Sequence, residues 1–220
     1  MEYRLLATDL DGTLLNTIDD LADAVKYIQR KYGYPVHSVD DVRRHVGNGL
    51  KLLMVRSLPL GEEDPNFEKV FEEFKEYYQG HCQIKTREYP GIMELLKELK
   101  ERNIKMAIVS NKAQAATSEL NKFYFSDYIQ IAIGENEAAG IKKKPAPDSV
   151  NHALKLLNAR KSEAIYVGDS EVDRETAKNS ELPCVSCSWG FRERELLESL
   201  NPMAIIDKPE ELLAIIDGSK

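Results

Sequence analysis

From Pro90-Gly91 onward the chain alternates between short apolar runs and amphipathic stretches, and this alternation restricts the possible folds more than any other feature. The runs Ile104–Ser110, residues 128–133, Ala164–Gly168, Leu182–Ser186 and Met203–Ile206 have strand character. The segments 91–102, 112–122, 147–158, 171–180, 192–199 and 209–216 have helical spacing. Strands alternating with helices are the mark of a parallel sheet wrapped by helices. Tyr3–Thr8 adds a first apolar run that stops at Asp9. Between residues 16 and 84 the period changes: Ile18, Leu21, Ala22, Val25 and Ile28 share a helical face, Gly33 and Pro35 end that helix, and further helices are predicted at 39–45, 48–57 and 66–80. The predicted architecture is therefore an α/β core formed by residues 1–15 and 85–220, interrupted by a helical insertion at 16–84.

Charge and composition narrow the function. A formal net charge of -7 argues against a surface built for nucleic acid, which needs clustered Lys and Arg. With 42% hydrophobic and 30% charged residues the chain has the balance of a soluble globular protein. The opening residues lack the regions of a signal peptide and no apolar run approaches membrane-spanning length, so a cytoplasmic location is expected. Cys82, Cys184 and Cys187 are expected to be reduced. The Cys184-x-x-Cys187 pair falls on a predicted strand, which turns the two thiols to opposite faces and disfavours a shared metal.

Four short motifs carry candidate chemistry. Asp9-Leu10-Asp11-Gly12-Thr13 follows a strand, at the edge where open α/β sheets place ligands. A carboxylate is a competent nucleophile toward phosphorus when a cation offsets the repulsion, and a second one nearby can move the leaving-group proton. Gly12 allows a tight turn, although a plain acidic turn would give the same string. In Gly168-Asp169-Ser170-Glu171-Val172-Asp173, Asp169 stands at a strand tip and Asp173 one helical turn later, a pairing that suits magnesium and also suits a helix cap. Ser110-Asn111 is predicted to end a strand and open a helix, which would serve either a phosphate oxygen or a cap. Lys144 belongs to a basic run of the kind usually found on solvated surfaces, but the rigid Pro145-Ala146-Pro147 after it can aim a cation into a site.

Taken together and in this order, Asp9-x-Asp11-Gly12-Thr13, Ser110-Asn111, Lys144-Pro145-x-Pro147-Asp148 and Gly168-Asp169-Ser170-x-x-Asp173 resemble the haloacid dehalogenase superfamily over essentially the whole chain. The resemblance implies a Rossmann-like core with residues 16–84 as a mobile helical cap. It implies that Asp9 attacks phosphorus and binds magnesium, and that Asp11 protonates the leaving oxygen, later activates water and lends its backbone carbonyl to the metal. It further implies that Gly12, Thr13, Ser110 and Asn111 position the phosphoryl group, that Lys144 neutralises charge, and that Asp169 and Asp173 complete a Mg2+ shell. Dehalogenating and phosphonate-cleaving relatives typically lack an acid at the position of Asp11. β-Phosphoglucomutases usually carry a cap histidine where this chain has Leu21, and tend to have an aliphatic residue where it has Thr13, so hydrolysis is favoured over intramolecular transfer.

The cap is expected to select the substrate. In Arg43-Arg44-His45-Val46-Gly47-Asn48-Gly49 the glycines would let a backbone loop take a small anion, making Arg43, Gly47, Asn48 and Gly49 candidate substrate contacts; a simple helix-turn-helix is the alternative. This segment and Trp189-Gly190-Phe191-Arg192 are similar to those of phosphoglycolate phosphatases and related pyrophosphatases. The expected partner is a small phosphorylated metabolite, with no nucleic acid or membrane, and the chain is expected to be a monomer or homodimer.

Overall fold

In the computed structural model, which describes residues 3–218, the first strand β1 (Leu5–Thr8) is followed by the two-residue β2 (Leu15–Asn16) and, much later, β3 (Arg87–Glu88). The remaining strands are β4 (Lys105–Ala113), β5 (Ile131–Glu135), β6 (Ala164–Gly168), β7 (Cys184–Cys187) and β8 (Ala204–Ile206). Six of them form one sheet in the order β5-β4-β1-β6-β7-β8, with every adjacent pair parallel. The chain builds outward from β1 through β4 to β5, then returns to β6 and builds the other way. This makes the C-terminal ends of β1 and its neighbours a topological switch point, where α/β sheets open a crevice for ligands.

The predicted α/β class is what forms, and burial explains it. Leu5, Ala7, Ala107, Val109, Ala164 and Tyr166 are within 1% of full burial and pack with Val150 and Ala153 of a covering helix. Side chains of this kind contribute roughly 1.5–3 kcal/mol each for the larger aliphatics. The helices of this part are α5 (Ile92–Glu101), α6 (Gln114–Leu120), α7 (Asp148–Leu156), α8 (Glu171–Asn179), α9 (Arg194–Ser199) and α10 (Glu211–Ile216). The chain divides into two compact units, one made of residues up to Leu14 and from Glu88 onward, the other of Leu15–Arg87.

The second unit contains α1 (Ile18–Tyr32), α2 (Val39–His45), α3 (Leu50–Ser57) and α4 (Phe67–His81). Helix α1 starts with Asp19 and Asp20, ends with Arg30 and Lys31, and stops where Gly33 adopts φ 71°. Those charges oppose the helix dipole at both ends, and glycine takes the left-handed cap without a Cβ penalty. Buried Asp20 accepts the backbone N–H groups of Lys85 and Thr86 at 2.9–3.0 Å, tying the end of this unit to its beginning. Against α1, α4 stacks Tyr77 on Tyr27 at 3.9 Å between ring centroids.

Several boundaries differ from the sequence expectation. Strand β4 runs to Ala113 and the next helix opens at Gln114, so Ser110 and Asn111 lie inside a strand rather than at a helix start. Extension is enforced by the neighbouring strand: Ala113 pairs with Glu135, and the Gln114 side chain donates to the Ala132 carbonyl and accepts the Gly134 N–H. Strand β5 begins at Ile131 because the Tyr128 and Ile129 amides close back onto Phe125, completing the π-helical turn Asn121–Phe125. All three cysteines are buried and unbridged. Among the described residues no helix is long and apolar enough to cross a membrane.

Candidate active site

Parallel pairing gathers the motifs at one sheet edge. Thr8 pairs with Ile108 on one side and Val167 on the other, and the Asp9 N–H donates to the Val167 carbonyl at 3.0 Å. Asp9 therefore leaves the end of β1 beside the end of β6, where Gly168 gives way to Asp169. Lys144, from the loop ahead of α7, reaches into this crevice. Its ammonium donates to Asp9 Oδ1 at 2.8 Å, to Asp173 Oδ1 at 2.8 Å and to the Tyr166 hydroxyl at 3.3 Å. Carboxylate oxygens of Asp9, Asp169 and Asp173 lie within 4.8 Å of one another, all in buried residues.

Three clustered carboxylates, of which only Asp9 and Asp173 touch the one ammonium, leave an excess of negative charge in a poorly hydrated place. Burial, reinforced by Asp173 and Asp169, drives the Asp9 carboxyl well above the ordinary carboxylate range despite Lys144. Burial and Asp173 likewise push Asp169 up to about 7. Burial also opposes charge on Asp173, but Lys144, Ser170 and Tyr166 outweigh it and hold this group low. On Lys144, burial is overcome by Asp173 and Asp9, which keep the ammonium charged. The frustrated carboxylates are thus Asp9 and Asp169.

That pattern tests whether a divalent cation fits. Hard cations choose carboxylate oxygens, and a dication would offset the burial and the mutual repulsion that together raise both pKa values. Asp169 is already oriented, its Oδ1 accepting from Thr13 Oγ1 at 3.2 Å and its Oδ2 from the Phe191 N–H at 2.7 Å. Asp173 differs. Its Oδ1 accepts from Lys144 and Tyr166, and its Oδ2 from Ser170 Oγ and from the Ser170 and Asp169 amides. Both of its oxygens are thus engaged, and with Ser170 as a capping-box partner at the start of α8, Asp173 anchors Lys144 and α8 while its carboxylate stays within the same three-residue cluster.

The phosphate-side residues divide similarly. Gly12 has φ 89°, and a Cβ there would collide with the Asp169 carboxylate, so only glycine lets the turn approach. Thr13 is buried against Asp169, and Ser110 Oγ accepts the Lys112 N–H at 3.2 Å. Asn111 is engaged with the backbone of Lys144: its Oδ1 accepts the Lys144 N–H at 2.7 Å and its Nδ2 donates to the Lys144 carbonyl at 3.1 Å. The side chain clamps the backbone of the lysine. Asn111→Ala should cost about 2 kcal/mol, since two buried backbone groups lose their partner. That corresponds to a melting temperature lower by about 4–8 °C for a chain of this size. A rise in KM with unchanged melting would instead favour direct phosphate contact.

Two residues escaped sequence reasoning. Lys112 places its ammonium 3.1 and 3.2 Å from the two carboxylate oxygens of Asp11, with little exposure. It was hidden because residue 112 was assigned to a helix. Tyr166 reads as one more core aromatic in an apolar strand, yet its hydroxyl bridges Asp173 and Lys144. The candidate cap contacts lie in the second unit. Arg43 on α2 pairs with Asp40, Gly47 and Gly49 have φ 130° and 84°, Asn48 lies between them, and Gly49 caps α3.

The family model for haloacid dehalogenase-like hydrolases matches residues 7–187. The phosphoglycolate phosphatase of Rhodobacter capsulatus is 33% identical over 217 residues, covering 97% of this chain and 96% of that one. The phosphoglycolate phosphatase of Vibrio parahaemolyticus serotype O3:K6 is 32% identical over 225 residues, covering 98% and 96%. A crystal structure from Lactobacillus delbrueckii subsp. bulgaricus, provisionally assigned as a phosphoglycolate phosphatase, superposes with a TM-score of 0.92 at 33% identity, covering 98% of this chain and 99% of that one. With its motifs gathered at the switch point of a parallel sheet, the chain belongs to the haloacid dehalogenase-like hydrolases.

Proposed function

We propose that this protein is a magnesium-dependent phosphatase that hydrolyses a small phosphate monoester, 2-phosphoglycolate first among candidates, through a phosphoryl group carried on Asp9. The observation that carries this reading is the Lys144 ammonium set 2.8 Å from both Asp9 and Asp173 beside Asp169. In the first half-reaction an Asp9 carboxylate oxygen bonds to phosphorus while the bond to the leaving oxygen breaks, and Asp11 gives that oxygen its proton. In the second, Asp11 takes a proton from water, the water oxygen bonds to phosphorus, and Asp9 is released with inorganic phosphate. Lys144 offsets charge on Asp9 throughout, while Thr13 and Ser110 hold phosphoryl oxygens. A divalent cation on Asp9 and Asp169, with the Asp11 carbonyl as a further ligand and Asp173 behind them, would supply the charge that lets an anionic nucleophile meet an anionic phosphate.

The substrate class draws on the relatives named phosphoglycolate phosphatase. Pyrophosphate, or a broad set of sugar phosphates and nucleotides, is the nearest alternative. Phosphate release from phosphoglycolate, pyrophosphate, hexose phosphates and nucleotides, with magnesium or with chelator, tests both halves. Dominant, metal-dependent release from phosphoglycolate is the expected result. Conversion of one sugar phosphate to its isomer without free phosphate would make the protein a mutase.

A pH experiment checks the metal independently. The Asp169 carboxyl, near 7 in place of the ordinary 3.8, binds its proton more tightly in the folded state. Its contribution to metal-free stability is complete below about 4 and is lost as pH rises through about 7. Magnesium replaces that proton, so the gain in melting temperature from magnesium should grow from about pH 6 to pH 8. A gain that is flat or shrinks over this range would count against Asp169 as a ligand.

A further inference from the structure

The segment Trp189-Gly190-Phe191-Arg192, which follows β7, has no place in the chemistry above, yet each of its residues bears on Asp169 or its neighbours. The Phe191 N–H donates to Asp169 Oδ2 at 2.7 Å. At Gly190 a Cβ would overlap the Cβ and carboxyl carbon of Asp169, so the backbone passes flush against that side chain. Gly12 does the same from the opposite motif. Trp189 Nε1 donates to the Thr13 carbonyl at 3.0 Å, while Thr13 Oγ1 donates to the other Asp169 oxygen. Arg192, its side chain 9% exposed, makes a two-point pair with Glu171 at 2.7 and 3.0 Å, fastening the segment to the first turn of α8.

We infer that the turn Trp189–Arg192 is the positioning element of Asp169, presetting this carboxylate for a small divalent cation and fixing it to the Thr13 loop. The inference rests on the metal assignment proposed above. Asp169 is fixed at both oxygens by one donor from each of two loops, and the two loops are joined by the Trp189 indole. Outer donors of this kind set ligand orientation, and their loss typically weakens metal binding by about 10–100-fold. A rigid site also favours magnesium, which requires near-octahedral geometry, over the larger and more tolerant calcium. The turn touches Asp169 and Thr13 but none of the groups assigned to bond making, so its effect should fall on metal affinity before it falls on the chemical step.

The test is calorimetric titration of Mg2+ and Ca2+ into the full chain, comparing wild type with Gly190→Ala, Trp189→Phe and Arg192→Gln. Gly190→Ala is expected to weaken magnesium binding by about 10-fold or more and to narrow the preference over calcium. Turnover at saturating magnesium should recover toward the wild-type kcat. Trp189→Phe and Arg192→Gln are expected to weaken magnesium less, and Arg192→Lys should restore part of the loss. These milder variants keep the question open to measurement if Gly190→Ala does not fold. Unchanged magnesium affinity in the folded variants, against a wild type that binds, overturns the inference alone. A wild type that binds no divalent cation overturns the metal assignment and this inference together.

Discussion

Asp9→Asn is expected to lower phosphate release by roughly 10⁴-fold or more without unfolding the protein, the scale seen when a nucleophile that acts as part of a unit is removed. The amide oxygen of asparagine can still accept from Lys144, as Asp9 Oδ1 does now at 2.8 Å. The substitution also removes one of three mutually repelling carboxylates, so the melting temperature should stay level or rise. Added magnesium should not rescue turnover, because what is missing is a nucleophilic oxygen and not merely charge. Acid-quenched mass spectrometry of wild type during turnover should find the phosphoryl group on the peptide containing Asp9, and the variant should show none. Full activity in the variant, or a phosphorylated peptide elsewhere in the chain, would remove Asp9 from the mechanism.

The parts of this site that the sequence made visible are those where a local pattern and a global one coincide. Asp9 and Asp169 stand directly after apolar runs, and any parallel arrangement of those runs brings their C-terminal ends to one edge. Glycine at position 12 was legible for the same reason, since a turn leaving a strand beside a carboxylate has no room for a Cβ. What stayed hidden depends on which atoms a side chain finally meets. Asn111 carries the same donor and acceptor whether it holds a phosphate or a peptide group, and only the fold reveals that it spans the Lys144 backbone. Lys112 was obscured by a boundary: strand β4 continues three residues beyond the predicted end because pairing with β5 outweighs local helical preference. Asp173 shows the limit of spacing arguments, since residue spacing identifies a carboxylate of the cluster but cannot count the donors that already meet its oxygens. Gly190 gave no signal of its own, because the approach it permits is to a residue far away in sequence.

Lys144→Met is expected to damage both stability and turnover, and the two losses should respond differently to magnesium. Lys144 is buried, and its ammonium is the cation in direct contact with both Asp9 and Asp173. Methionine fills similar volume but leaves those carboxylates without it. Breaking a buried pair from one side costs about 3–5 kcal/mol, because the remaining charge is uncompensated. For a chain of this size that corresponds to a fall of roughly 10 °C in melting temperature. Asp173 keeps Tyr166 and Ser170 as donors, so the penalty concentrates on Asp9, whose proton affinity rises further from an already elevated level. A protonated Asp9 is a poor nucleophile, and the phosphoryl group loses its neighbouring cation as well, so kcat should drop by about 10³-fold or more. Magnesium should recover part of the melting temperature by neutralising the cluster. It should not recover turnover, since it cannot occupy the buried position between Asp9 and Asp173 from which the lysine acts on both. If saturating magnesium instead restored both quantities, Lys144 would be only a counter-ion for the carboxylate cluster, and the charge stabilisation assigned to it would belong to the metal.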